Sequence, residues 1–216
     1  MPLTLIIGNK NYSSWSLRPW LLLKQAGILF DEILVPLYEG DYKAELLKYS
    51  PNGKVPTLLH DGRAVWESLA IVEYVHELHP EKNLWPQDIK QRAWARTISA
   101  EMHSGFSALR NSMHMNLRKS LHGKGRTPEV EKDIQRIFEI WEECRKEFKT
   151  SGPFLFGHFT IADAMFAPVV TRFKTYGVEL SPMLKGYSET ILNLPAMKEW
   201  YADSLKEPWT IPAAEV

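Results

Sequence analysis

Strand-forming segments occur only in the first third of this chain, where they alternate with helical segments. The apolar run Leu3–Ile7 is too short for a helix and predicts a buried strand. Residues 15–26 predict a helix, which Gly27 ends because glycine tolerates left-handed backbone. A second strand is expected at 30–37 and a short helix at 41–49. This β–α–β order predicts two parallel strands that are joined by a right-handed crossover.

A hairpin and a further helix follow this first unit. The segment 55–59 predicts a third strand, and Asp61-Gly62 favours a tight hairpin turn. A fourth strand is expected at 64–66, and a helix at 67–78. This order of elements is that of a thioredoxin-like domain, which we place at residues 1–80.

Beyond residue 80 the sequence predicts helices alone. Two prolines and little periodicity in 79–88 are typical of a linker, which we place at 81–90. The remainder, 91–216, predicts an all-α domain. The helices beyond the thioredoxin-like domain are expected at 88–118, 128–149, 161–176, 182–193 and 196–205. The fold class is therefore α/β plus all-α, with a thioredoxin-like domain followed by a helical one.

The overall charge of the chain excludes several classes of partner. Its 216 residues include 26 Lys and Arg against 26 Asp and Glu, which gives a formal net charge of zero. A balanced surface lacks the basic footprint that attracts nucleic acid or an anionic membrane, so we expect neither partner. The amino terminus has no signal-peptide pattern, and no apolar run approaches the ~20 residues of a membrane span. We therefore expect a cytoplasmic protein.

Cysteine and histidine usage excludes two further kinds of site. Cys144 is the single cysteine, so the chain cannot form an intramolecular disulfide. It also cannot build a zinc site from several thiolates. His76 and His79 are three residues apart, but no third ligand is spaced to join them. We therefore expect no metal.

The first motif that could carry chemistry is Ser13-Ser14-Trp15-Ser16, at the junction of the first strand and helix. A helix N-terminus presents unpaired N–H groups and a partial positive charge. A hydroxyl group there can donate a hydrogen bond to a thiolate and lower the pKa of the thiol. The simpler interpretation is an ordinary serine N-cap.

The second motif is Lys54-Val55-Pro56, which follows a tight turn. A cis form of an X-Pro bond costs only about 0.5–1 kcal/mol. A cis Val55–Pro56 bond would turn the main chain of Val55 outward, where an extended peptide ligand could pair with it. Otherwise Pro56 is a simple turn residue.

The third motif, Glu67-Ser68, lies at another helix start. A serine hydroxyl at a helix N-terminus suits a carboxylate, and Glu67 can accept from an ammonium group. Together they would suit the zwitterionic end of an amino acid. The alternative is helix capping and compensation of the helix dipole.

In combination these motifs resemble the glutathione site of the cytosolic glutathione S-transferases. The resemblance is carried by residues 52–58, followed eleven residues after the proline by 67–71. Residues 157–163 are similar to the N-capping box and hydrophobic staple of that superfamily's second domain. The serine motif resembles the serine-type branches, particularly the zeta class with its maleylacetoacetate isomerases. Trp15 stands where the zeta motif carries cysteine. The resemblance covers nearly the whole chain.

The resemblance implies that a serine hydroxyl stabilises the thiolate of glutathione, the co-substrate. Ser13 matches the zeta-class position, and its neighbour Ser14 remains an alternative. The thiolate would then attack an electrophilic small molecule, held in place by the enzyme.

The resemblance also implies roles for five residues around the rest of glutathione. Val55 would pair its main chain with the cysteinyl part, and Pro56 would be the cis proline that shapes this corner. Glu67 and Ser68 would hold the γ-glutamyl amino and carboxylate groups. Lys54 could reach the glycyl carboxylate.

The electrophile pocket is expected between the domains, beside the first helix of the second domain. His103, Phe106 and Arg110 are expected there, and His103 and Arg110 could meet an anionic substrate.

Two other functions remain open: a glutathione-dependent cis–trans isomerase, and a non-catalytic ligand-binding or interaction protein of the same fold. The resemblance further implies a homodimer and a role in detoxification.

Overall fold

The computed structural model describes residues 2–215, and its strands form a four-stranded sheet near the amino terminus. The strands are β1 (Leu3–Ile7), β2 (Phe30–Leu34), β3 (Thr57–His60) and β4 (Arg63–Trp66). Their spatial order is β2-β1-β3-β4. β1 pairs parallel to β2 and antiparallel to β3, and β3 pairs antiparallel to β4. This mixed sheet confirms the predicted thioredoxin-like fold.

Three helices accompany the sheet: α1 (Ser14–Gln25), α2 (Tyr42–Leu47) and α3 (Ser68–Leu78). Side chains alternate across β1, because successive residues of a strand point to opposite faces. Leu5 therefore enters the main core, which also contains residues of α1 and α3. Ile6 enters a smaller cluster with Leu46 of α2. Both faces of the central strand are thus covered.

The rest of the described chain is helical. Its helices are α4 (Ile89–Ser104), α5 (Ser107–Ser112), α6 (Pro128–Phe148), α7 (Ile161–Tyr176), α8 (Pro182–Leu192) and α9 (Pro195–Ser204). Short 3₁₀ turns lie at Pro80–Lys82 and Pro212–Ala214. Helix α7 is buried along nearly all its length and contacts α1, α4 and α8. Within residues 2–215, no helix is both long and apolar enough to cross a bilayer.

The single helix predicted over 88–118 is wrong, since the chain breaks between α4 and α5. A side chain at Gly105 would place its Cβ 2.8 Å from a main-chain oxygen of the preceding turn. Phe106 adopts left-handed backbone with φ 57°. Helix α5 then starts, and Asp133 of α6 accepts a hydrogen bond from the Leu109 N–H at 2.9 Å. The break turns the residues after α5 toward the loop that follows β1.

The predicted linker packs closely against its surroundings. Residues 83–88 form neither helix nor strand. Leu84 and Trp85 are nevertheless buried, and the Leu84 carbonyl accepts from the N–H of Ile161 at 2.9 Å. The Trp85 indole N–H donates to Glu73 at 3.0 Å. The domain limits at 80 and 90 remain a prediction.

Candidate active site

A cleft of about 920 Å³ lies where the loop after β1 meets the helical part of the chain. The start of α1, the region after α5, helix α7 and the carboxyl-terminal segment all contribute to its wall. A smaller recess of about 180 Å³ adjoins it. The recess is lined by Trp15, Asn52, Lys54, Val55, Pro56, Glu67 and Ser68. Trp15 and Val55 line both spaces, so a ligand in the recess can extend into the cleft.

Ser13 is the N-cap of α1, and its hydroxyl is used within the protein. Its Oγ accepts from the N–H of Ser16 at 3.3 Å and donates to Ser16 Oγ at 2.7 Å. Ser16 Oγ in turn accepts from the N–H of Gly8, at the end of β1, at 3.1 Å. These bonds fix the turn from strand to helix, as the simpler interpretation of the motif expects.

Ser14 is the first residue of α1 and has a different environment. Its Oγ accepts a hydrogen bond from Arg172 Nη2 of α7 at 3.2 Å, and both residues line the cleft. Among residues 2–215 the Ser14 hydroxyl proton has no acceptor. A ligand in the cleft can therefore take it.

Trp15 lies between cationic side chains. The guanidinium carbon of Arg18 is 4.2 Å from the indole centroid, and that of Arg110 is 5.0 Å away. The His103 ring meets the indole edge-on at 5.4 Å. Such contacts are favourable because the face of an indole ring is negative. They fix the Trp15 ring, which lines both the cleft and the recess.

The glutathione motifs predicted from the sequence come together in the recess. The Val55–Pro56 bond is cis. The main chain of Val55 makes no hydrogen bond to any other described residue. Ser68 is 1% exposed, and its Oγ has no partner in the described part of the chain. Glu67 has φ 68° at the start of α3, and Lys54 is exposed at the rim. The recess thus offers unpaired polar groups to a ligand.

The residues predicted for the electrophile pocket have different positions. Arg110 lines the cleft and donates to the His103 carbonyl at 3.1 Å. His103 does not line the cleft, and its Nε2 lies 3.7 Å from the Glu67 carboxylate. Burial, and then Arg18, lower the pKa of His103. Phe106 is buried in the core and does not line the cleft.

Sequence reasoning missed Arg172 and the carboxyl-terminal segment. Arg172 lies on a helix that is apolar over most of its length, and a charge on such a helix needs a partner. An arginine within this largely apolar helix was the sequence pattern that could have identified Arg172. Met115, on the chain after α5, lines the cleft, as does His114 beside it.

The carboxyl-terminal segment is held over the cleft by Arg118. The Arg118 guanidinium donates to the carbonyls of Glu207 and Trp209, both at 2.7 Å, and to the Tyr12 hydroxyl at 2.8 Å. The Tyr12 hydroxyl donates to Glu215 at 2.6 Å. Ala214 of this segment lines the cleft, as does Tyr12 of the loop after β1. The segment therefore forms part of the wall of the cleft.

Comparison with known proteins identifies the class. Residues 12–78 match the family model "Glutathione S-transferase, N-terminal domain", and residues 127–203 match "Glutathione S-transferase, C-terminal domain". A probable maleylacetoacetate isomerase of Caenorhabditis elegans is 32% identical over 195 residues, which cover 88% of this chain and 89% of that protein. The maleylacetoacetate isomerase of Rattus norvegicus is 32% identical over 173 residues, covering 78% and 77%. The chain therefore belongs to the glutathione S-transferase family.

Its position within the family follows from the same relatives. They include maleylacetoacetate isomerases and a zeta-class transferase, so the chain lies near the zeta class. A glutathione transferase homolog from Burkholderia GL BGR1, solved with bound glutathione, superposes with a TM-score of 0.74 at 24% identity. The match covers 96% of this chain and 100% of that one. The predicted fold and family are confirmed, with glutathione as the co-substrate. Residues 2–215 contain no group of three or more metal-binding side chains.

Proposed function

We propose that the protein transfers glutathione to an electrophilic small molecule, with the peptide in the recess and its sulfur beside Ser14. The observation that carries this proposal is the buried, unpartnered Oγ of Ser68 next to the unpaired main chain of Val55. A buried polar atom without a partner costs about 1–3 kcal/mol. A bound peptide with a free carboxylate would recover that cost.

The proposed contacts follow the chemistry of the recess. The N–H and C=O of Val55 pair with the cysteinyl main chain beside Pro56, as a strand would. Ser68 and the N-terminus of α3 bind the γ-glutamyl carboxylate. Glu67 accepts from the γ-glutamyl ammonium, and the exposed Lys54 meets the glycyl carboxylate.

The proposed reaction uses the Ser14 hydroxyl as a hydrogen-bond donor. Donation to the sulfur favours the thiolate, so the thiol proton leaves to solvent at a lower pH. The thiolate then attacks a carbon that bears a leaving group, and a C–S bond forms. The bond to the leaving group breaks, and the leaving group takes the electron pair. The enzyme contributes position as well as a lower thiol pKa.

An assay of glutathione conjugation to chlorodinitrobenzene can distinguish the roles of the two serines. We expect Ser14→Ala to lower kcat/KM by roughly 10²–10³-fold, as for loss of one donor to a developing anion. Calorimetry should show that this variant still binds glutathione. Ser13→Ala loses an N-cap worth about 1 kcal/mol and should lose less activity. A larger loss in Ser13→Ala at equal stability would reverse the assignment. Absence of glutathione binding to the wild type at millimolar concentration would reject the proposed function.

A second candidate function is cis–trans isomerisation of an unsaturated dicarboxylate. It is favoured by Arg110 and Arg172, which line the cleft and form no ion pair within the described chain. The thiolate would add to the double bond, the resulting single bond would rotate, and elimination would release glutathione unchanged. Turnover of maleylacetoacetate without consumption of glutathione would support it. Arg110→Ala should then raise KM for the dicarboxylate but not for chlorodinitrobenzene.

Assembly and cellular role belong to the same proposal. We propose a cytoplasmic homodimer that acts in detoxification, which the family resemblance supports. Light scattering of the purified protein tests the dimer, since a monomeric mass at micromolar concentration would contradict it. Glutathione binding with no turnover of any electrophile would favour the non-catalytic alternative.

A further inference from the structure

Arg172 is a buried cation without an anionic partner. It is 3% exposed, and its three guanidinium nitrogens each make a hydrogen bond. Nε donates to the Met113 carbonyl at 2.8 Å, and Nη1 donates to the Pro168 carbonyl at 3.2 Å. Nη2 donates to Ser14 Oγ at 3.2 Å. No carboxylate of residues 2–215 forms an ion pair with it. Its position is therefore fixed, but its charge is uncompensated.

The titratable groups that face Arg172 do not supply a counter-charge. They are Arg18 of α1, Arg110 of α5, His114 after α5 and Tyr176 of α7. Burial, followed by repulsion from Arg110, lowers the pKa of Arg172 to about 10. Burial and Arg172 also lower the pKa of His114. An anion that enters the cleft beside Ser14 would relieve this repulsion.

The hydrogen bond from Arg172 also leaves the Ser14 hydroxyl available as a donor. The Ser14 oxygen accepts from the guanidinium, so the Ser14 hydroxyl proton remains for a ligand. A hydroxyl that accepts from a cation is a stronger donor, because linked hydrogen bonds polarise one another. Ser13 lacks this support, since its hydroxyl is bonded to Ser16 on both sides.

We propose that Arg172 is a positioning residue that acts through Ser14 to lower the pKa of the glutathione thiol. The proposal rests on the proposed function and adds a residue from α7 to it. The guanidinium donates to the Ser14 oxygen, and the Ser14 hydroxyl donates to the sulfur. No bond is made or broken in this chain of hydrogen bonds, and the thiol proton leaves to solvent.

The test measures the ionisation of the bound glutathione thiol directly. Ultraviolet absorbance of the bound thiolate is followed across pH, with the glutathione-free enzyme subtracted so that tyrosine ionisation cancels and His114 is silent. Arg172→Met should raise the pKa of the bound thiol by about 1–2 units. Arg172→Lys keeps the charge, so its bound thiol should have a pKa between those of the wild type and Arg172→Met. Glutathione affinity, measured below the pKa of the bound thiol, should change less than threefold.

The matched control is Arg145→Met. Arg145 is also buried and donates to the main-chain carbonyls of Gly152 and Phe154. Its loss should lower stability and leave the thiol pKa unchanged. An unchanged thiol pKa in folded Arg172→Met, or an equal shift in Arg145→Met, overturns the proposal. Should Arg172→Met not fold, Arg172→Gln decides on the same criterion. A wild type that binds no glutathione would instead reject the proposed function itself.

Discussion

Two residues of the recess carry costs that a site without a ligand would not retain. Glu67 is a non-glycine residue at φ 68°, a conformation that costs about 1–3 kcal/mol. Ser68 buries a hydroxyl without a partner in the described chain. Natural sequences keep such violations chiefly where function requires them. The two adjacent costs therefore mark the recess as a binding site.

Ser68→Ala tests this interpretation at a single atom. Removal of the hydroxyl should weaken glutathione binding by about tenfold or more, since a hydrogen bond to a charged group contributes about 1.5–3 kcal/mol. Stability should equal that of the wild type or exceed it by up to about 1–3 kcal/mol, because the lost hydroxyl is buried without a partner in the folded protein. Titration calorimetry and urea unfolding measure the two effects.

Ser99→Ala is the matched control for that variant. Ser99 of α4 is also fully buried with an unpartnered Oγ, but it does not line the recess. Its loss should leave glutathione binding unchanged. Equal affinity of Ser68→Ala and the wild type would contradict the proposed role.

The sequence predicted the serine pair, and the family resemblance favoured Ser13, with Ser14 as the alternative. Local pattern identifies Ser13 as an N-cap, because its partner is three residues away. The environment of Ser14 depends on Arg172, which is 158 residues away. A contact at that separation leaves no local signal. The roles of both serines remain predictions.

Secondary-structure elements were predictable where their ends carry local signals. Helix α7 runs over Ile161–Tyr176 as predicted, between the Thr160 capping box and Gly177 at φ 65°. The break at Gly105 was not predicted, because a glycine is tolerated inside helices. The start of α5 is stabilised by Asp133 from another helix, which is a tertiary effect.

The capping box of α7 gives a prediction about pH. Asp163 accepts from the N–H groups of Leu155 and Thr160 at 3.0 and 2.9 Å. Burial raises the pKa of its carboxyl to about 6, above the ordinary 3.8. The folded state therefore binds this proton more tightly than the unfolded state. The contribution of Asp163 to stability falls as pH rises from about 4 to about 6, by at most about 3 kcal/mol.

Urea unfolding of the wild type and Asp163→Asn across this range isolates the effect. The Asn variant cannot titrate, so the stability difference in favour of the wild type should shrink as pH rises. The Asn variant also places its NH₂ group against one of the two main-chain N–H groups. These two donors cannot bond to each other, and the lost hydrogen bond should cost about 1–3 kcal/mol. A difference that grows with pH would mean that hydrogen bonding outweighs burial at this carboxyl.

At the scale of the whole molecule, the loop after β1 is held between the sheet and the end of the helical part. Lys10 Nζ lies 2.9 Å from both Glu32 of β2 and Asp203 of α9. The main-chain N–H groups of Lys10 and Asn11 donate to the Glu207 carboxylate at 2.5 and 3.0 Å. This loop leads directly into the serine motif, so the helical part positions it. Charges this far apart in sequence give no pairing signal, and the sequence did not predict this contact.

Lys10→Met and Lys24→Met compare a buried and an exposed form of the same contact. Both ammonium groups lie over the Trp20 ring, at 5.1 and 5.2 Å, and both reach an acidic residue of α9. Methionine keeps the apolar stem on the ring and removes the charge. The Lys10 side chain is only 7% exposed. Its loss leaves Glu32 without its cation and Asp203 with Lys206 alone, and should cost about 2–4 kcal/mol. The Lys24 side chain is 37% exposed, and its loss should cost about 1 kcal/mol or less. Urea unfolding measures both, and equal losses would show that burial adds nothing to the contact between the loop and α9.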